Sequence, residues 1–102
     1  MRQAAVMLLA MSVVFPAAHA QDDFPKVDPM AEASCDVPDG WMTVFSQYAN
    51  ALIRAKDEGR ITDPLLTDLS VWYVQQQNRI IETNDTRGVC LDAIAMRRRH
   101  GF

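Results

Sequence analysis

Apolar positions change their pattern several times along this chain, and each pattern predicts a different element. The run Ala4–Phe15 is almost wholly apolar and has no period. Residues 21–38 scatter their apolar positions among three of the five prolines and sustain no repeat. From Trp41 onward the pattern becomes helical: Trp41, Val44, Phe45, Tyr48, Leu52 and Ala55 recur at spacings of three and four, one apolar face of an α-helix. A second stripe follows in Leu65, Leu69, Trp72, Tyr73, Gln76 and Ile80. A third takes in Val89, Cys90, Ala93 and Ile94, with Met96 or Arg97 at its end. No run alternates with period two, so strands are not expected.

Punctuation between the stripes fits the same division. Asp39 stands where a helix N-cap is expected, and Gly59 supplies the left-handed residue that ends a helix. Asp63 is placed to cap the second helix, with Pro64 in its first turn, where a missing N–H costs nothing. Asn84-Asp85-Thr86 interrupts the second stripe, and Asp85 can cap the third. That triplet also matches a glycosylation sequon, read here as turn chemistry. The expected helices cover about 39–58, 64–83 and 86–99, preceded by an extended, Pro-containing leader over 21–38. Short connections make this an all-α, up-down-up three-helix bundle occupying 39–102.

The first block changes the picture by compartment. Met1-Arg2-Gln3 places a positive charge before the apolar run, and Ala18-His19-Ala20 offers small residues at a signal peptidase site. Residues 1–20 thus read as a cleaved secretory signal peptide, too short to remain as a membrane anchor. Periplasmic or secreted placement follows, with cleavage after Ala20. Gln21, not a cysteine, would then lead the mature chain, which argues against a lipoprotein.

Export makes Cys35 and Cys90 a disulfide. Both fall at the same end of an up-down-up bundle, so the bridge closes without strain. The chain-entropy model credits a loop of this length with about 4 kcal/mol, a large share of the stability of a small domain. There is no C-x-x-C to favour redox chemistry.

Charge then narrows the partners. After removal of the signal, nine Lys and Arg face thirteen Asp and Glu. A mildly acidic domain is not built to coat nucleic acid or anionic lipid. Candidate chemistry is sparse. His100 is the single histidine beyond the signal and reads as a frayed terminal residue, so no metal site and no cofactor are expected. Asp57, Glu58, Asp63 and Asp68 cluster around the first helix connection, but capping and solvation account for them. No catalytic residue is expected.

Contact with another protein is the remaining reading. Adjacent Trp72 and Tyr73 cannot both face the same direction fully, which leaves one at the rim of an exposed patch. Gln76 interrupts the second stripe as either a buried hydrogen-bond partner or an open contact. Arg97, Arg98 and Arg99 oppose the helix dipole in the last turn and could grip an anionic group. These six residues are the candidate partner-binding set, and the partner expected is another exported or envelope protein. In its export signal, small size, acidity and cysteine pair the chain resembles, in outline, the small acid-stress chaperones of the bacterial periplasm. That resemblance implies opening in acid as an alternative function and carries no site residue across.

Overall fold

The computed structural model describes residues 24–102. The expected signal peptide lies outside the described residues. Within them the fold is all-helical: α1 spans Gly40–Asp57, α2 Asp63–Thr83 and α3 Thr86–His100. A Cys35–Cys90 disulfide closes the bundle, with a Cα–Cα distance of 5.7 Å.

The core lies chiefly between α1 and α3. Val44, Tyr48, Ala51, Leu52 and Ala55 meet Val89, Cys90, Ala93 and Ile94, all buried. The alanines on both helices let the backbones approach closely. α2 contributes much less: only Leu69 and Gln76 are buried along its 21 residues. Leu65, Trp72 and Tyr73 are half-buried against the core.

Helix ends show where local chemistry was correctly and incorrectly anticipated. Gly59 is left-handed at φ 73°. Its N–H donates to Lys56 O, and that of Arg60 donates to Ala55 O, a pair of bonds that closes the C-terminus of α1. Asp85 Oδ1 accepts from Gly88 N at 2.9 Å and caps α3. Asp39 does not cap α1 with its side chain. It sits in the left-handed region at φ 59° and makes no side-chain capping bond. The close packing of Gly40 against the Ser34 carbonyl, where a Cβ would overlap it, dictates this entry to the helix. Asp63 is not the cap of α2 either. Thr62 Oγ1 accepts from Leu65 N at 3.3 Å, and Asp63 is the first helical residue, paired with Lys56 across the connection.

Two further differences concern the chain outside the stripes. The leader is not extended throughout: Glu32–Asp36 form a short 3-10 helix that buries Ser34 and Cys35. Upstream, Thr43 Oγ1 donates to Pro25 O at 2.6 Å, holding the leader along α1. His100 is not frayed. α3 continues through it, Gly101 turns left-handed at φ 71°, and Phe102 folds back into the core at 8% exposure. Its ring meets Tyr48 edge-on, with centroids 5.2 Å apart.

Candidate functional site

The site begins with an excess. An α-helix packed on one side needs an apolar stripe of limited width, but α2 carries more apolar residues than its thin burial consumes. Beside the buried Leu69 runs a second row along the same helix: Leu66, Ser70, Tyr73, Val74, Gln77 and Ile81, at helical spacing. Val74 is 52% exposed and Ile81 80%. α1 offers a matching margin in Ala49 and Ile53, the latter 59% exposed. Between these margins lies an open cleft of about 190 Å³, lined by Ala49, Leu52, Ile53, Leu66, Ser70, Tyr73 and Val74. A neighbouring concavity toward the other end of α2 adds Trp41, Phe45, Gln77, Asn78, Ile80 and Ile81. No Lys, Arg, Asp or Glu lines either one.

Tyr73 anchors this face. Its ring stacks on Phe45 at 4.3 Å and lies 5.5 Å from that of Tyr48. Burial pushes its phenol above the ordinary value. Beneath it, the Tyr48 hydroxyl donates to Leu69 O at 3.0 Å, and burial raises its pKa to about 12. Aromatic stacking of this kind fixes the floor of the cleft.

The six sequence-selected residues do not form one site. Trp72 and Tyr73 both contact Tyr48, but Trp72 packs from the far side of Leu69, 5.3 Å from the Tyr48 ring. Gln76 is buried, and its Oε1 accepts from Arg79 Nη1 at 3.2 Å on the same helix. It is therefore not an open contact residue. Arg79 also reaches Asp85 at 2.7 Å and Asp92 at 2.8 Å, joining α2 to the α3 cap. The Gly88 N–H, together with the Arg79 pairing, holds the Asp85 carboxyl below its usual range.

The arginine triplet is largely occupied within the chain. Arg97 Nε donates to the Phe102 main-chain oxygen at 2.9 Å, and its guanidinium lies 5.9 Å from the Phe102 ring centroid. Burial and nearby Arg54 depress its pKa. Arg98 turns the other way, donating to Met30 O at 2.8 Å and pairing with Glu32. Arg99 alone of the three is solvent-exposed without a hydrogen-bond partner among the described residues.

Ile53, Leu66, Val74 and Ile81 are the face residues that sequence reasoning passed over. Their signal was available: three of them are apolar positions of α2 left over when its main stripe is removed. A third concavity, between Phe24–Val27 and the Thr43, Ser46, Gln47 and Asn50 flank of α1, is of mixed polarity, with Lys26 its one ionisable lining group. Among the described residues no three His, Cys, Asp or Glu side chains converge as a metal site. No described helix is long and apolar enough to cross a membrane. Protein-family models, curated proteins and solved structures yield no match to this chain.

Proposed function

We propose that this chain is a small exported, non-enzymatic protein-binding module that docks through the α1–α2 face. An inhibitor, an immunity-type partner or an accessory subunit all share this requirement. The observation that carries the reading is the uncharged row on α2, where Val74 and Ile81 remain largely exposed above a stacked aromatic floor. Apolar patches rimmed by neutral amides suit a protein surface, because their burial costs no charge desolvation. The disulfide and the acidic balance are compatible with an exported partner and unsuited to nucleic acid.

The test is capture. Oxidised wild-type protein is immobilised and exposed to envelope and medium fractions of the source cell, with Val74→Glu as the control. Val74 is preferable to Trp72, whose ring supports Tyr48. A discrete protein retained by the wild type and lost by the variant supports docking through this face. Equal retention by both moves the contact elsewhere.

Opening in acid is the second reading. Glu32 and Asp36 pair with Arg98 and Arg87 where the leader meets α3, and protonation would release both. Those pairs are solvent-exposed and individually weak, and the disulfide spans the same joint. Client binding that appears only below about pH 4, near ordinary carboxylate values, would favour this alternative.

A further inference from the structure

The side of α1 turned from the core is defined by what it lacks. An amphipathic helix ordinarily sets charged residues toward solvent, but no Lys, Arg, Asp or Glu occurs from Gly40 to Ile53. In their place Thr43, Ser46, Gln47 and Asn50 recur at helical spacing and form a neutral flank of hydroxyls and amides. The leader runs over this flank as a strap. Thr43 Oγ1 donates to Pro25 O at 2.6 Å. Further along, Asp28 O accepts from the Ser34 hydroxyl, and Met30 O accepts from Arg98 at 2.8 Å. Pro25 and Pro29 fix φ between these anchors and stiffen the strap. Between strap and helix lies a cleft of about 600 Å³, open to solvent on one side, within the size range of small-molecule sites.

Its lining selects a ligand chemistry. Lys26 brings one cation, and no carboxylate of the described residues lines the cleft. Arg54, one turn beyond Asn50 on the same side of α1, adds positive potential and has no ion-pair partner among the described residues. An anion is therefore favoured, and a free ammonium would find nothing to pair with. Thr43 spends its hydroxyl on Pro25, but Ser46, Gln47 and Asn50 have no side-chain hydrogen-bond partner among the described residues. Each of the two amides offers both donors and an acceptor. A simple inorganic anion, which only accepts, would leave both amide oxygens unused, whereas an amide group in the ligand answers N–H and C=O together. Phe24, Pro25 and Val27 supply an apolar wall for a hydrocarbon side chain.

We propose that this cleft binds a small N-acylated amino acid, its carboxylate at Lys26, its amide at Gln47 and Asn50, and its side chain against Phe24 and Val27. The site shares no lining residue with the α1–α2 docking face, so the two readings stand or fall separately. Binding at an open cleft with an exposed lysine is modest, at a Kd of about 0.1–1 mM for a ligand of this size.

The experiment uses the full chain expressed in an exporting bacterial host and purified oxidised. N-acetyl-leucine is titrated to about 20 mM while amide NMR shifts of isotope-labelled protein are followed. Saturable shifts should centre on Lys26, Ser46, Gln47 and Asn50. Leucine, with a free ammonium, and N-acetyl-leucinamide, without a carboxylate, should each bind more weakly. Lys26→Gln should weaken N-acetyl-leucine about fivefold, the worth of an exposed charge contact, and leave N-acetyl-leucinamide unchanged. Asn50→Leu should weaken both compounds, because it removes an amide partner common to the two. Lys26 and Asn50 are exposed, so both variants keep the fold, which their unperturbed spectra elsewhere verify. No saturable shift at any concentration overturns the proposal, as does saturation centred on Ile53 and Val74 instead. Equal affinity for the acid and its amide, or indifference to Lys26→Gln, overturns the assignment of the carboxylate and the proposal with it. Capture of an envelope protein through Val74 is read in a separate assay and is indifferent to every one of these outcomes.

Discussion

Replacing Tyr48 by Phe removes one oxygen from the centre of the core, and its effect on stability should change sign near pH 11. At neutral pH the variant loses the hydrogen bond to Leu69 O, made at 3.0 Å by a ring with 0% exposure. That carbonyl keeps its helical environment in α2, so no buried acceptor is stranded and the loss is about 1 kcal/mol. At high pH the balance turns. Burial raises the Tyr48 phenol from 10.0 to about 12, so between those values the unfolded chain releases a proton that the folded chain retains. The unfolded state then binds fewer protons, and stability falls as pH rises. Below pH 10 this contribution is intact. It is lost progressively up to about pH 12, to a total of about 3 kcal/mol. By about pH 11 the loss exceeds the hydrogen bond, and Tyr48→Phe becomes the more stable protein. Urea unfolding followed by far-UV circular dichroism, at intervals from pH 7 to 11.5 with brief exposure to alkali, measures the difference. Deprotonation of other groups, Tyr73 included, is common to both proteins and cancels to first order. A stability difference independent of pH would refute the argument.

Gly40→Ala should destabilise the fold, although Ala normally favours a helix over Gly by about 1 kcal/mol, because the new Cβ overlaps the Ser34 carbonyl; a raised Tm would refute this. Thr62→Ala should cost about 1 kcal/mol in urea unfolding, and Asp63→Ala distinctly less, since Thr62 supplies the cap of α2. Phe102→Ala should cost about 3 kcal/mol and lower Tm markedly, whereas a frayed end would tolerate it. Asp85→Asn should flatten the acid side of the stability curve. The folded Asp85 pKa is lowered, so its stabilisation is present at neutral pH and fades as pH falls through the carboxylate range; titration of unfolding between pH 2 and 6 measures it.

Periodicity revealed the helices because Val44, Tyr48, Leu52, Val89, Ala93 and Ile94 each fill a position the repeat assigns to the core. The Cys35–Cys90 bridge was legible because topology puts both residues at one end. Caps were legible as segments more than as residues. Asp85 stands between Asn84 and Thr86, and Asp63 beside Thr62, and which oxygen meets an N–H depends on a register that one residue can shift. Asp39 failed for a tertiary reason, the packing of Gly40 on the leader. Phe102 belongs to no stripe, so nothing in the pattern announced that Gly101 would turn it inward. Within the candidate site, periodicity placed Tyr73 on the right helix. The work of Arg98 depends on Met30 and Glu32, separated from it by 68 and 66 residues, and no local pattern encodes such a contact. The exposed row on α2 was hidden because a stripe search stops once it has found enough apolar positions for one side.

The principal packing joins the first helix to the last, with α2 laid across more lightly. During synthesis, therefore, α1 has no adequate mate until the segment from Val89 to Phe102 exists, and Cys35 must wait for Cys90. A nascent chain arranged this way stays loose until α3 has been made. Under the export proposed above, that delay would keep the chain threadable through a translocation pore, and oxidation would be the late step that locks Cys35 to Cys90.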